Sequence, residues 1–549
     1  MKVNIILISI FLIVALITLY LRKKKSSIEE IKYTINTLNN NTMELNSDYI
    51  ITRISWTKNN NDKINYLLGI FEGANDPSFS DAVPIAMIKE QEVFNQINYI
   101  DVNIPKVYKY IRYIPPLKMQ TQTDVNPIKF YGKLQSNKDI NSKKDFQVTN
   151  LPLISIYTQD SITPVSKDEK IDCNITITNE GNIELRENAT IKVRGKSTSF
   201  PPKKPYSIKF NTKQKVLGLK GSYKKWVLLA NYFDITSIRN ALAFKISELI
   251  GFEFTPRCIS VDLILNGQYR GNYYLCDHVE IGKQRINIDE LKKTDITEPS
   301  ITGGYFFEID GAGEDHGYIN LVTKKGIKWR IKEPEEDDIT EEQNNYIIEK
   351  MNQFESDAYN GNFTNLDLET FSKFLLVDEF SGDPDEIWSN FYITKKRNDD
   401  KFYFGPVWDF DLCFDNDNRL FPINDKSKFI FYYGESAGTM FNFTEMLIKN
   451  KTIIEYIQKT WENLKKTALN ENVLIDFIEQ EYNHIKESSK LNILVWNDYT
   501  KGRMSNFIHF GEKVNYENIV ADLNALKEYI KKRFVSLTNL INQAVSEAK

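Results

Sequence analysis

The sequence predicts an α+β protein in which a β-rich half precedes a helical half. Three observations predict it. From about Asp48 to Ile281 short runs alternate apolar and polar residues between Gly, Pro and Asn, the pattern of half-buried strands. Past Phe441 the apolar positions fall instead at helical spacing, as in "TIIEYIQKTWENLKKTAL" and "DLNALKEYIKKRFVSLTNLINQAV". Between the halves lies "VWDFDLCFDN", Val407 to Asn416, where aromatic and acidic residues alternate. At a period of two this is a strand with one buried aromatic face and one face carrying Asp409, Asp411 and Asp415.

The elements follow in order. Val3 to Leu21 is almost wholly apolar and long enough to cross a bilayer, with Arg22 to Lys25 behind it, so residues 1–25 are expected to be a single-pass transmembrane helix. The positive-inside rule then puts the main body in the cytosol. Residues 26–47 are polar and Asn-rich and read as a linker with some helix. Residues 48–134 read as a β-sandwich-like domain, and 135–149, rich in Ser, Asn, Lys and Asp, as a second linker. The front segments are expected to govern location rather than chemistry. The main domain, 150–549, opens with "LPLISIYTQD", and "CNITITN" and "ATIKVRG" follow as strands. Asp234 to Ile250 reads as a helix capped by Asp234 or Thr236 and ended by Gly251. "LNGQY" is a hairpin turn, and "EPEEDDITEEQ" an acidic loop running into a helix.

Composition narrows the function. Among 549 residues 41% are hydrophobic and 26% charged, and the net charge of -4 gives no basic field for nucleic acid. Four scattered cysteines form no CxxC pair, so neither a zinc site nor a disulfide framework is indicated. There is no Walker A motif and no GxGxxG. Three stretches carry chemistry instead. "VRGKSTSFPPKKPYSIKF", Val193 to Phe210, sets a polar turn before a basic strand, able to face an anion. "DPDEIWSN" spaces Asp385 and Asn390 as D-x-x-x-x-N, the spacing of a protein-kinase catalytic loop. The acidic strand offers hard oxygens to Mg²⁺ or Mn²⁺.

These stretches, with "WVLLANYFDITSIRNALAFKISELIG", "GQYRGNYYLCDHVEI", "GGYFFEID" and the tail "LKEYIKKRFVSL", resemble the CotH family of spore-coat-protein kinases, in the family's order over about residues 150 to 540. The resemblance implies an atypical protein-kinase-like fold with a β-rich N-lobe, and an ATP-dependent transfer of the γ-phosphoryl group to Ser or Thr of protein substrates. It matches Asp385 and Asn390 to the catalytic pair, and Asp409, Asp411 and Asn390 to metal ligands. Arg194, Ser197, Lys204, Lys209 and Glu280 match nucleotide-binding positions, Lys204 ahead of Lys209 as the phosphate contact, and Arg239 matches a recurrent position. Lys196 departs from the family's small polar residue, and Asp383 competes with Asp385 on everything but spacing. Family habit favours an exported or surface-associated protein, against the charge bias. The alternative is a catalytically silent surface scaffold binding glycan or protein partners. "GIFEGANDPSFSDAVPIAMI" and "YKYIRYIPPLKMQTQTDVNPIKFYG" resemble parts of a galactose-binding-like (discoidin-type) sandwich, a fold that binds sugars through its loops in some members and only packs in others.

Overall fold

The computed structural model describes residues 28–35, 42–59, 66–104, 106–117, 128–135, 144–309, 319–385, 389–496 and 516–548. The chain divides into two compact units. The first comprises residues 1–163, 173–187 and 262–271, the second the remainder.

The first unit contains two antiparallel sheets. One has the order Glu29–Glu30, Lys129–Leu134, Tyr49–Thr57, Ile97–Asp101; the other Tyr33–Ile35, Thr42–Leu45, Tyr110–Ile114, Ile70–Ala74, Val83–Met87. Ile54, Trp56 and Phe130 of the first sheet and Met43, Phe71, Ile85 and Ile111 of the second share one apolar core. The short β runs are strands, and the two sheets pack as a sandwich, as the resemblance implied. The segment read as a linker supplies three of its strands. Glu72, fully buried in this unit, is paired with Arg112 (2.6 Å) and accepts the Tyr157 hydroxyl (2.5 Å).

A closed barrel follows, in the order Leu153–Thr158, Ile171–Asn179, Asn182–Val193, Tyr206–Gln214, Tyr223–Leu229, Gln268–Asp277, Cys258–Leu265. Asn266 and Gly267, both at positive φ (52° and 73°), make the tight turn that the "LNGQY" hairpin requires.

The second unit adds a five-stranded antiparallel sheet ordered Ile319–Val322, Lys328–Glu333, Tyr305–Ile309, Phe391–Lys395, Phe402–Phe404. Its helices are α1 (Arg239–Ile250), α2 (Glu341–Tyr359), α3 (Leu368–Ser381), α4 (Thr439–Lys449), α5 (Lys451–Thr467), α6 (Glu471–Trp496) and α7 (Tyr516–Glu547). Thr340 and Gln343 close a capping box on α2, which fixes where the acidic loop becomes helix. α5 buries Ile453, Ile454, Ile457, Trp461 and Leu464 along one stripe, packed on α3 and α7.

Arg239, fully buried, fastens this unit together. Its guanidinium bonds Asp234 (2.7 Å), both carboxylate oxygens of Asp522 in α7 (2.7 and 3.0 Å) and the Cys413 carbonyl (3.1 Å). Asp234 also accepts the Ile238 and Arg239 amides (2.9 and 2.8 Å), so it caps α1 from a position before the helix proper. Gly251, at φ 84°, ends it.

Two expectations are corrected. The apolar stretch Val3 to Leu21 lies outside the described residues, and among the described residues no helix is long and apolar enough to cross a membrane. The long helices α6 and α7 are amphipathic, with charged residues in nearly every turn. The single-pass transmembrane helix and the membrane localisation are therefore not supported, and the described residues form an α+β fold. Nor is Val407 to Asn416 a strand. It is an irregular segment running into turns, with Asp409, Phe414 and Asp415 at φ 71°, 55° and 63°, left-handed conformations that break the extended backbone of a strand.

Because Arg239 is buried with its charge intact, Asp522→Ala is expected to cost about 3–5 kcal/mol by leaving a guanidinium short of its partner. Urea unfolding measures this, and an unchanged midpoint would contradict the role given to the pair.

Candidate active site

The acidic segment is pinned from several sides. Trp408 stacks on Phe244 of α1 (5.9 Å between ring centroids), and Phe414 meets the edge of Tyr529 in α7 (5.6 Å). The Phe410 amide donates to Asn240 (2.8 Å) and the Phe414 amide to the Ser381 carbonyl (2.7 Å). The aromatic residues are thus buried as their alternation implied, while turns rather than pleating aim the carboxylates. Asp411 is buried and Asp409 partly so.

The second acidic segment leaves the end of α3. Gly382, at φ 66°, turns the chain. Asp383 is buried and accepts the Asp385 amide (2.9 Å), whereas the Asp385 side chain is 29% exposed and bonds Arg419 (2.7 Å). Asn390, at φ 61°, immediately precedes the strand Phe391–Lys395.

Three of these carboxylates are perturbed. Burial is the main force raising the Asp383, Asp409 and Asp411 carboxyls above their ordinary range. The charge of Asp385 adds to the rise in all three. Arg194, whose guanidinium lies 5.4 Å from the centre of the Trp408 ring, opposes it at Asp409. The arrangement brings Asp383, Asp385, Asp409 and Asp411 together around too little positive charge.

A basic wall stands near by. Lys225 lies 3.9 Å from Glu280 and 3.3 Å from Glu335. Arg285, fully buried, donates to Glu280, to Asp277 (3.1 Å) and to the Lys225 carbonyl (3.0 Å), which holds Glu280 and Lys225 in place. Glu280 itself sits above its ordinary range because burial outweighs Arg285 and Lys225. Glu308 accepts Lys332 (3.0 Å) and the Tyr392 hydroxyl (2.9 Å); burial would raise its carboxyl, but the lysine prevails and lowers it. Burial, then Lys225, Lys332, Arg194 and Arg285, hold His278 well below its ordinary range, so it is neutral at pH 7. Its Nδ1 has no hydrogen-bond partner among the described residues.

Of the residues singled out from sequence, Arg194, Asp385, Asp409 and Asp411 come together, and Glu280 joins the basic wall. Ser197 opens the short helical turn Ser197–Ser199 that follows Gly195. Lys204 donates to the carbonyls of Ser199 (2.6 Å) and Phe200 (3.3 Å), which shapes that loop. Lys209 is exposed on its strand, level with Lys225 of the neighbouring one. Lys225, His278, Glu308, Lys332 and Arg419 were not singled out. Glu308 had a signal, as the one carboxylate inside the aromatic strand "GYFFEI"; the lysines had none, because their partners are distant in sequence.

Among the described residues no three His, Cys, Asp or Glu side chains form a ready-made metal cage. Asp409 and Asp411, carboxylates crowded with little counter-charge, offer oxygen donors of the kind that suit a hard cation keeping water and taking phosphate oxygens, as Mg²⁺ does.

Glu333, at the end of the strand beside Lys225, has its carboxyl raised to about 7. Burial is the main cause; Lys225 opposes it, and Glu335 and Glu280 add to it. The folded chain then binds a proton more readily than the unfolded one, so this group's contribution to stability falls as pH rises from the ordinary glutamate range through about 7. Relative to wild type, Glu333→Gln is expected to gain about 1–3 kcal/mol between about pH 5 and pH 8. Unfolding at both pH values checks it, and an equal difference at each would contradict the assignment.

The model of one protein family, described as CotH kinase protein, matches residues 191–537. No curated protein matches the chain. Among solved structures, CBM62 from Clostridium thermocellum Xyl5A is 26% identical over 17% of this chain and 68% of that one, with a TM-score of 0.15, too low to bear on the fold.

Proposed function

The chain belongs to the CotH kinase protein family, and on that premise we propose that its second unit is an ATP- and divalent-cation-dependent protein kinase that phosphorylates Ser or Thr hydroxyls. The observation that carries the proposal is the convergence of Asp385, Asp409 and Asp411, in which burial and the charge of Asp385 raise the Asp409 and Asp411 carboxyls, next to the cationic Arg194, Lys225 and Lys332. An acidic pole and a basic pole in one site suit a polyphosphate and its counter-ion.

In this reading Asp409, Asp411 and Asn390 hold Mg²⁺ or Mn²⁺. When bound, the ion neutralises charge on the β- and γ-phosphate oxygens. Arg194 and Lys225 contact phosphate oxygens, and Glu280, itself fixed by Arg285, keeps Lys225 pointed at them. Ser197 and the loop shaped by Lys204 cover the nucleotide. Asp385 accepts the acceptor hydroxyl's proton as its oxygen bonds the γ-phosphorus and the bond to the leaving β-phosphate oxygen breaks. Catalysis is then positioning plus charge stabilisation. Intact Asp385, Asn390 and Asp409 favour this over a silent scaffold, which has no use for all three.

Asp409→Ala is expected to lower kcat/KM by at least about 100-fold and to remove the Mg²⁺-dependent part of the thermal stabilisation by ATP. A wild-type rate on a generic acceptor protein would refute the metal assignment. Asp385→Asn is expected to keep ATP binding and lose about 100-fold or more in turnover, the contribution of a general base. The same loss from Asp383→Asn, with none from Asp385→Asn, would reverse the choice between them. Lys225→Met is expected to raise KM for ATP roughly ten- to hundredfold, the worth of a charge-assisted hydrogen bond. An unchanged KM, with the rise appearing only in Lys204→Met, would return the phosphate contact to Lys204.

A further inference from the structure

Asp417 is buried, and one of its oxygens, Oδ1, accepts both the backbone amide of Arg419 (2.8 Å) and its Nε (2.9 Å). A guanidinium is a planar fork, so fixing Nε leaves the Nη atoms little freedom. Arg419 Nη1 reaches Asp385 Oδ1 at 2.7 Å. The Asp385 amide is already held by Asp383 (2.9 Å). Backbone and carboxylate of Asp385 are therefore fixed from two directions, the second by a residue that lies 34 positions further along the chain.

We propose that Arg419 is the positioning residue of Asp385, anchored by Asp417, so that the carboxylate meets the acceptor hydroxyl in one orientation; this rests on the kinase reading of Asp385. Stability alone gives a weak reason for such a pair. Both side chains are about a third exposed (38% and 29%), and ion pairs in that setting contribute little to folding. The investment of a buried carboxylate, Asp417, in aiming one arginine at one aspartate makes sense if the direction of Asp385 matters more than the strength of the pair. A short reach of sequence, "DNR" (Asp417 to Arg419) directly after the acidic segment, supplies both anchor and clamp, so the base and the metal-facing carboxylates are set by the same stretch of chain. With the base oriented in advance, loss of the clamp acts on the chemical step and leaves nucleotide affinity alone.

The test uses the full chain. Arg419→Ala is expected to lower kcat about tenfold or more while KM for ATP and the Mg²⁺-ATP thermal shift stay at wild-type values. Asp417→Asn should act in the same direction, and Arg419→Lys should recover part of the loss, since an ammonium can bond Asp385 but cannot bridge it to Asp417. Guanidinium ion added to Arg419→Ala should restore turnover and should do nothing for Asp385→Asn. A wild-type kcat in Arg419→Ala overturns the proposal. So does a loss that guanidinium leaves untouched and that tracks a lower thermal midpoint, because a folding role behaves that way. Should the wild type transfer no phosphate, the kinase reading is what fails. The clamp is then decided by a double-mutant cycle of Arg419→Ala and Asp385→Ala in urea unfolding, where a coupling of about two- to fivefold in the unfolding constant keeps it and strict additivity removes it.

Discussion

The buried guanidinium of Arg239 is the constraint on which the second unit depends. Three segments far apart in sequence meet on it: the turn at Asp234 that starts α1, the acidic segment through the Cys413 carbonyl, and α7 through Asp522. Such a charge is expensive to bury and more expensive to leave unpaired. Its value is therefore less in net stability than in excluding every arrangement that does not bring all three segments to one point. The Cys413 carbonyl lies two residues from Asp411, so the clamp that holds α7 also sets where the acidic pole can be. A second buried pair does similar work on the other side: Arg533 of α7 donates to the Glu379 carbonyl in α3 (2.9 Å), and Glu379 accepts the Ile430 amide (2.8 Å).

The same logic explains why the carboxylates tolerate one another. Backbone bonds and ring packing hold Trp408, Phe410 and Phe414 on either side of Asp409 and Asp411, and Asp383 is tied to the Asp385 amide, so the carboxylates stay close. Burial keeps water from screening them, and the result is a set of acids held above their ordinary range. The opposite pole is built with equal care, since Arg285 fixes both the backbone of Lys225 and the carboxylate of Glu280. A divalent cation would relieve the first pole and phosphate oxygens the second.

Much of this was legible in the sequence where the cause is local. The Asn266-Gly267 turn and the Gly251 helix end each depend on a few adjacent residues, and each stands where the pattern put it; the acidic loop does run into a helix, whose start the Thr340 to Gln343 capping box fixes. The aromatic positions of Val407 to Asn416 were legible as buried, but not their conformation. Alternation reports burial, and here tertiary bonds to Asn240, Arg239 and Ser381 supplied burial without a strand. The short strands between Glu29 and Leu45 escaped because runs of two to four residues are too short to leave a periodic signal. Lys225, Lys332 and Arg419 escaped for a different reason: a lysine or arginine shows no sign in sequence of the carboxylate it will meet.

The central claim is that the two poles act together on one γ-phosphoryl group. Incubating the full chain with Mg²⁺-ATP and a Ser/Thr-containing acceptor protein, then weighing the acceptor by mass spectrometry, tests it most directly. The account predicts addition of phosphate to Ser or Thr that requires the divalent ion. An acceptor left unmodified, or one carrying AMP in place of phosphate, would contradict it.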